Sequence, residues 1–382
     1  MENGSLGDRL AMYNGNRFKI GLFGANCSSG RAITTVPERW SGGWEDNLAL
    51  ARMAEDAGID FMLPIGRWKG YGGDTDYQGE TYETITWATG LLAATARMTV
   101  FATVHAPLFH PVIAAKQLVT ADHVGRGRLG LNIVCGWNEG EFRMFGATQR
   151  DHEARYAHGQ EWIDAVRMMW ERPGTFDFEG QYLELRDVRS FPKPYGGTRP
   201  IIMNAGASPT GQAFAVRNCD ALFCTPVGAE NVDQLAAGIR HAKDLAAKEG
   251  RAIDVYSVGV ITCRPTNAEA EEYHRHCIID EADWSAVDRI LAMKDVRPET
   301  VGADEFARRR RHQAHGMGGI PIVGDPDTVA AGIARIAEAG LRGIGVSFVN
   351  YLDELPYFRD EVLPRLERMG LREKRTVRST SP

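Results

Sequence analysis

The chain has 382 residues, of which 43% are hydrophobic and 25% are charged, so it can bury a large core as an ordinary globular protein. Its formal net charge of -6 argues against nucleic acid or an anionic membrane surface as a partner. The Arg308–Arg311 run is a local exception, which we interpret as the solvated face of a helix.

The N-terminus and the cysteines indicate the compartment. Met1–Asn16 is polar and rich in glycine, unlike a signal peptide, and no apolar segment is as long as a membrane span. The six cysteines have no CxxC spacing, and we expect ordinary thiols at Cys219 and Cys224, which flank a short apolar run. These features predict a reduced, cytoplasmic enzyme without a metal.

Short apolar runs alternate with longer helical patterns, which is typical of βα units around a parallel sheet. The predicted strands are Phe18–Phe23, Phe61–Ile65, Thr99–His105, Arg128–Val134, Pro200–Asn204, Ala221–Thr225, Val255–Thr262 and Gly343–Phe348. The predicted helices are Trp44–Ala57, Tyr82–Ala94, Pro111–Val124, Arg155–Trp170, Pro209–Arg217, Val232–Lys248, Ala268–Ala292 and Leu355–Met369. Eight such pairs predict a (β/α)8 TIM barrel of the α/β class. We expect one domain, with its core over about 18–370 and a flexible tail at 376–382.

Four long connections stand out between these elements. They are Gly24–Gly43, Gly136–Ala154, Arg172–Arg199 and Lys294–Pro321. Barrel enzymes build their sites from loops at the C-terminal ends of the strands, so long insertions at this face are where a site is expected. Some of these loops can equally cover the barrel or form a dimer contact.

Polar residues interrupt or end two predicted strands. Asn132 lies inside an apolar run, where a buried amide without a hydrogen bond costs roughly 1–3 kcal/mol. Its side chain therefore either holds neighbouring backbone or binds a ligand at the barrel mouth, and its position leaves both open. Thr103 poses the same question, although threonine is a common β former. His105 ends the same strand.

A turn with small residues follows the fifth strand. Ser208 suits a helix N-cap and Pro209 the first helical position. Such a terminus suits a phosphate, although these residues alone favour a capped helix without a ligand. The turn is no Walker A loop, because Gln212 follows Gly211. No GxGxxG follows the first strand, so a Rossmann nucleotide site is not supported.

Other chemistry finds little support in the motifs. HExxH, GxSxG and paired-carboxylate patterns are absent from the sequence, so neither zinc nor serine hydrolysis is indicated. His274 and His276 are two residues apart on a predicted helix and therefore face different directions. Arg155, which begins a helix, can hold a phosphate, although solvated arginines are commoner.

Three stretches in this order are distinctive: HPVIAAKQLVTADHVG at His110–Gly125, GRLGLNIVCGW at Gly127–Trp137 and GDPDTVA at Gly324–Ala330. They resemble the bacterial-luciferase-like flavin-dependent monooxygenases, and the similarity runs from about Phe18 to Met369. Within that family the chain most resembles the branch of the pyrimidine oxygenase and of the dimethyl-sulfone and alkanesulfonate monooxygenases. The segment LPIGRWKGYGG at Leu63–Gly73 is similar to the segment after the second strand of the pyrimidine oxygenases.

The resemblance implies a set of site residues. FMN would contact Gly66, Arg67, Thr103, Asn132, Glu141, Arg155, Tyr156, Gly206 and Ser208, with Ser208 at the phosphate. Thr103 and Asn132 match the catalytic pair beside the flavin N5 edge. His105, by its location, is a candidate for substrate orientation or proton transfer, although an ordinary hydrogen-bonded histidine fits equally. The substrate pocket would be lined by Trp68, Tyr71, Trp137 and Asn204, whose aromatic members can equally be packing.

The implied function is a two-component monooxygenase. A separate NAD(P)H:flavin reductase would supply reduced FMN, because the sequence has no nicotinamide fingerprint of its own. Oxygen would add to reduced FMN at N5 or C4a and be transferred to a small heterocycle, with a ring amide or aza nitrogen, or to an organosulfur compound. The resemblance also suggests a homodimer or homotetramer. The alternatives are an F420-dependent reductase on the same scaffold, a non-catalytic flavin-binding barrel and an unrelated phosphate-binding barrel isomerase.

Overall fold

Eight parallel strands close into a barrel in the computed structural model, which describes residues 11–223 and 232–374. In chain order the strands are β1 (Lys19–Phe23), β2 (Phe61–Leu63), β3 (Thr99–His105), β4 (Leu129–Val134), β5 (Phe176–Glu179), β6 (Glu184–Val188), β7 (Ile201–Asn204), β8 (Ala221–Phe223), β9 (Asp254–Cys263), β10 (Ile320–Gly324) and β11 (Gly343–Ser347). The barrel runs β1, β2, β3, β4, β7, β8, β9 and β11, and β11 pairs with β1. The predicted (β/α)8 barrel is confirmed.

Helices connect the strands around the barrel. They are α1 (Trp44–Asp56), α2 (Thr84–Ala94), α3 (Pro111–Val124), α4 (Glu139–Met144), α5 (His152–Glu171), α6 (Pro209–Asn218), α7 (Val232–Lys248), α8 (Asn267–Arg275), α9 (Trp284–Met293), α10 (Pro298–Val301), α11 (Ala303–Ala314), α12 (Pro326–Glu338), α13 (Tyr351–Tyr357) and α14 (Leu363–Arg368). In the part of the chain that the structure describes, none of them is both long and apolar enough to cross a bilayer.

The structure adds strands that the sequence pattern did not predict. Strand β10 pairs with the C-terminal half of β9, beyond the short β8, although it contains Pro321. Proline weakens a strand prediction, but here it lies at an exposed position of β10. Strands β5 and β6 form a separate antiparallel hairpin within the insertion at 172–199. The predicted end of the sixth strand, at Cys224 and Thr225, and the tail at 376–382 lie outside the described residues.

Two helices predicted as continuous are interrupted. The predicted Ala268–Ala292 helix divides into α8, a π-helical turn at His276–Asp280, and α9. Asp283 begins the second part, because its carboxylate accepts the backbone N–H of Ala286 and also that of Thr75, from a distant loop. The predicted Leu355–Met369 helix likewise contains a π-helical turn, at Phe358–Val362, between α13 and α14. Both divisions are corrections to the sequence-based prediction.

Alternate side chains of each strand face either the barrel lumen or the surrounding helices. The lower lumen is filled by apolar rings, since Phe61 contacts both Phe101 and Tyr256 at 5.9 Å between ring centroids. Along β3 the lumen-facing positions change from Phe101 to Thr103 and His105 as the strand approaches its C-terminal end. Polar groups therefore begin above an apolar plug, at the face where barrel enzymes place their sites.

The opposite end of the barrel is held by a buried carboxylate. Asp60 is fully buried, accepts the backbone N–H of Ile20 at 2.8 Å and pairs with Arg372 at 2.6 Å. Asn16 donates to its second oxygen at 2.7 Å. This network joins the start of β1, the residue before β2 and the C-terminal segment, so it serves the scaffold and leaves the C-terminal face to the site.

Candidate active site

The register of two neighbouring strands brings Thr103 and Asn132 together. Strands β3 and β4 pair in parallel with Thr103 opposite Asn132, and both side chains are buried. The Thr103 hydroxyl donates to the carbonyl of Pro64 at 2.7 Å. Since its one hydrogen is used there, the group facing it must be the amide N–H of Asn132, which donates at 3.2 Å.

This arrangement leaves two acceptors without a protein donor. Asn132 Oδ1 is buried and has no hydrogen-bond partner among the described residues. The Thr103 oxygen uses its hydrogen and one lone pair, so its second lone pair is free. A buried acceptor without a donor is costly unless a ligand supplies one. Reduced isoalloxazine presents ring N–H groups, so the donor set of reduced FMN fits this pair.

A carboxylate on α4, the short helix after β4, binds the loop after β2. Glu141 Oε1 accepts from Arg67 Nη1 at 3.0 Å and from the backbone N–H of Trp68 at 2.9 Å. The Arg67 and Glu141 side chains are 5% and 2% exposed, so this is a buried ion pair whose members depend on each other. The pair fixes the segment containing Gly66 and Arg67 over the barrel mouth.

His105 joins the same cluster. Its Nε2 lies 3.9 Å from Glu141 Oε2. Burial lowers the pKa of His105 to about 4, although Glu141 opposes the shift. The imidazole is therefore neutral near pH 7 and acts there as a hydrogen-bonding group or a base rather than as a cationic acid.

Burial of the His105 imidazole makes the free energy of unfolding depend on pH. In the unfolded chain the His105 imidazole is protonated near pH 6.5, whereas in the folded chain it is protonated only near pH 4. The free energy of unfolding is therefore at its full value above pH 6.5 and decreases as the pH falls toward 4. The substitution His105→Gln removes this dependence of stability on pH. Between pH 7.5 and 4.5 the unfolding free energy of the wild type, measured by denaturant titration, should fall more than that of His105→Gln, by on the order of 2 kcal/mol.

The matched control is a substitution at an exposed histidine. His110 is exposed, and His110→Gln should retain the acid sensitivity of the wild type. Equal acid losses in the wild type and in His105→Gln would contradict the assignment of a buried, neutral imidazole.

Gly66 is required by close packing at the mouth. A Cβ added there would lie 2.7 Å from His105 Cε1 and 3.0 Å from Thr103 Cγ2. The backbone of the β2 loop thus lies directly against the polar ends of β3, and the predicted contacts Gly66, Arg67, Thr103, Asn132 and Glu141 form one cluster with His105.

Aromatic rings flank this cluster. Tyr71 and Trp137 lie nearly parallel at 6.3 Å between centroids, and the Arg67 guanidinium lies 4.5 Å from the Tyr71 ring. Both rings line a cleft of about 490 Å³. Trp68 contacts Phe109 and Phe145 instead. Tyr71 and Trp137 thus lie beside an open volume, whereas Trp68 lies on the Phe145 side.

The predicted phosphate end is built around α6. Ser208 caps the helix, accepting from the backbone N–H of Gly211 at 3.1 Å, and its hydroxyl lies 3.0 Å from His152 Nε2. Gly206 and Gly211 approach so closely that a Cβ on Gly206 would lie 2.7 Å from the Gly211 Cα. The free helix N-terminus offers N–H groups and a positive dipole end to an anion.

Side chains of α5 complete this end. A Cβ on Gly211 would lie 2.6 Å from the Tyr156 hydroxyl, which places Tyr156 beside the helix start. Arg155 Nε is buried and has no partner within the described residues. Such a guanidinium nitrogen, on the helix that also carries Tyr156, fits a phosphate.

Asn204, a predicted pocket residue, lies apart from the Thr103–Asn132 pair. It follows lumen-facing Met203 on β7 and points to the helix side. Its amide donates to the Ile133 carbonyl at 2.7 Å, and its Oδ1 accepts the backbone N–H of Gly206 at 2.8 Å. Through these contacts Asn204 shapes the phosphate turn, so the structure does not bring it together with Thr103 and Asn132.

A comparison with known protein families identifies the family of this chain. The model of the luciferase-like monooxygenases matches residues 19–343. The chain belongs to this family. The expected assignment to its flavin-dependent monooxygenases is thereby confirmed.

Relatives of this luciferase-like chain cover most of its length. It is 28% identical to pyrimidine monooxygenase RutA of Enterobacter sp. (strain 638), over 91% of this chain and 96% of that protein. It is also 28% identical to the FMNH2-dependent dimethylsulfone monooxygenase of Pseudomonas fluorescens (strain Pf0-1), over 91% and 93%. The predicted similarity to this branch is confirmed. A riboflavin lyase structure, RcaE, superposes with a TM-score of 0.82 at 23% identity, over 93% of this chain and 92% of that one.

Sequence reasoning missed other charged groups at the mouth of this luciferase-like barrel. Arg31, in the loop after β1, is buried, and Lys294, after α9, is near both Arg31 and Arg67. His152 was missed beside Ser208. Their signal in the sequence is weak, because each lies in a long loop or at a helix end without a motif. In the described ranges, no group of three or more His, Cys, Asp or Glu side chains is arranged to hold a metal ion.

Proposed function

We propose that this protein is a monooxygenase that uses reduced FMN and O2 on a small organic substrate. The observation that carries the proposal is the Thr103–Asn132 pair, whose two free acceptors lie above an apolar plug at the barrel mouth. The name of the P. fluorescens relative states FMNH2 dependence, which supports the choice of cofactor. A separate reductase is part of the proposal, since no nicotinamide fingerprint occurs in the sequence.

Reduced FMN, when bound, supplies the electrons that activate O2. Ser208, Arg155 and the α6 N-terminus would hold its phosphate, while Glu141 and Arg67 would hold the β2 loop in place for its ring. Thr103 orients Asn132, and the pair would accept ring N–H groups in a buried site that is poor in water. Neutral His105, on the same strand face, can orient a substrate or accept a proton.

The proposed substrates are a small heterocycle with a ring amide or aza nitrogen, or an organosulfur compound. Tyr71 and Trp137 offer flat apolar surfaces to such a molecule. The names of the RutA and dimethylsulfone relatives, a pyrimidine and a sulfone enzyme, support these two classes equally. Assembly as a homodimer or homotetramer and a cytoplasmic location are further parts of this proposal.

A binding and oxygen experiment tests the proposal. The purified protein is titrated with oxidised FMN, reduced FMN and F420, and each reduced complex is then mixed with O2 in a stopped-flow spectrometer. We expect tighter binding of reduced than of oxidised FMN, followed by rapid reaction with O2, because the free acceptors at Thr103 and Asn132 fit ring N–H donors. Selective binding of F420, or a bound reduced FMN inert to O2, would contradict the proposal.

A further inference from the structure

Arg31 brings a positive charge into the barrel mouth. The residue is 7% exposed, and its guanidinium carbon lies 4.7 Å from the centroid of Phe23, at the end of β1. One nitrogen donates to the backbone carbonyl of Gly316, and the buried Nε has no hydrogen-bond partner in the described part of the chain. Among the residues that the structure describes, no carboxylate lies within ion-pair distance of Arg31.

The groups around Arg31 do not neutralise it. The acidic groups that act on its charge are the phenols of Tyr77, Tyr351 and Tyr71 and the thiol of Cys27. Burial raises the pKa of Tyr71 and of Cys27 to about 12 in each case, and raises those of Tyr77 and Tyr351 further. All four are therefore uncharged near pH 7, so none of them supplies an anion to the guanidinium.

A second cation lies nearby. Lys294 is exposed as a residue, but its ammonium group donates at 3.1 Å to Oε1 of Gln313, which is buried. Burial lowers the pKa of Lys294 to about 8, and the charges of Arg31 and Arg67 lower it as well. Of the three cations, Arg67 is paired with Glu141. The cluster of Arg31, Arg67, Lys294 and Glu141 thus has an excess of two positive charges.

The cleft beside Tyr71 and Trp137 also has a net positive charge. Lys69, Arg143 and Arg289 line it together with one carboxylate, Glu139. Met293, the residue before Lys294, also lines the cleft. Such a surface attracts anions toward the mouth.

The FMN phosphate does not account for this charge. In the closed barrel, β1 lies four strands from β7 in either direction, so the loops that carry Arg31 and Ser208 lie on opposite sides of the mouth. The phosphate features are on the β7 side. The excess charge on the β1 side therefore fits an anion other than the phosphate of FMN.

We propose that the substrate carries an anionic oxygen group, such as a carboxylate or sulfonate, which the buried Arg31 binds with the help of Lys294 from the exposed side. This inference rests on the proposed function and narrows its substrate class. A planar oxyanion satisfies the free Nε of Arg31 and supplies the missing negative charge in a poorly solvated site. The rest of the substrate then lies toward Tyr71 and the Thr103–Asn132 pair.

Matched pairs of probes test the proposal by calorimetry. Methanesulfonate is compared with dimethyl sulfone, and benzoate with benzamide, each titrated into the protein with and without FMN. We expect the wild type to bind each anion at least about tenfold more tightly than its neutral partner, because a charge-assisted hydrogen bond is roughly twice as strong as a neutral one. Arg31→Gln should abolish this preference, Lys294→Gln should reduce it severalfold and Arg31→Lys should restore part of it.

The controls distinguish a failure of this proposal from a failure of the proposed function on which it rests. Arg186→Gln makes the same change of charge on the β5–β6 hairpin and should leave the preference intact. Lys294→Gln, at an exposed residue, covers the case in which Arg31→Gln does not fold. Equal affinity for charged and neutral probes, or a loss of FMN affinity alone in Arg31→Gln, would overturn the proposal. Absence of FMN binding would instead contradict the proposed function, and anion binding remains measurable without FMN.

Discussion

Thr103→Val is expected to slow the reaction of bound reduced FMN with O2 by about 100-fold, the effect typical of losing one preorganised polar group in an active site. Valine preserves the shape of threonine but removes the hydroxyl that donates to Pro64 and accepts from Asn132. The Asn132 amide then loses the partner that fixes its orientation, and its Oδ1 no longer points at a defined place. Stopped-flow absorbance at saturating protein measures the rate constant.

The same strand supplies a control for Thr103. Thr99 is fully buried on the same face of β3, at the opposite end of the barrel, and its hydroxyl has no partner among the described residues. Thr99→Val should therefore leave the rate unchanged and Thr103→Ser should keep most of it. FMN affinity should change less than about tenfold in Thr103→Val, since the phosphate end is untouched. A Thr103→Val enzyme as fast as Thr99→Val would refute the role of the hydroxyl.

Glu141→Gln is expected to lower the unfolding free energy by about 3 kcal/mol and to weaken FMN binding at least about tenfold. Glutamine still accepts from Trp68, but it leaves the Arg67 guanidinium buried without a counter-charge. The rings of Tyr71 and Trp137, whose centroids lie 4.5 and 5.7 Å from the guanidinium carbon, offset part of this loss. Denaturant titration measures the stability, and FMN titration the affinity.

A carboxylate on the same helix provides the comparison. Glu139 pairs with Arg143 across exposed side chains that are 65% and 72% accessible. Surface pairs of this kind contribute little, so Glu139→Gln should stay within about 0.5 kcal/mol of the wild type. If Glu141→Gln is equally mild, the buried pair does not hold the β2 loop and the proposed cofactor site loses its support.

Local patterns predicted much of the fold correctly. Helix α3 begins at Pro111 and ends before Gly125 as its sequence indicates, because its start and stop signals are local. The apolar β runs likewise placed the eight barrel strands. The pattern failed where a distant contact decided the structure. Asp283 interrupts a helical pattern by binding Thr75, and Pro321 lies in a strand because β9 extends beyond β8 and offers it an edge.

The sequence by itself determined the barrel, the family and the residue types at its strand ends, because periodicity and short motifs are properties of neighbouring residues. The tertiary structure alone decided how those residues combine. The β3–β4 register sets Thr103 against Asn132, and an alternation of faces turns Asn204 away from the lumen. Long loops enclose Arg31, and no residue in the described ranges supplies it with a counter-charge. Pairing, burial and unsatisfied charge depend on which segments meet in space, and that information is not local to any motif.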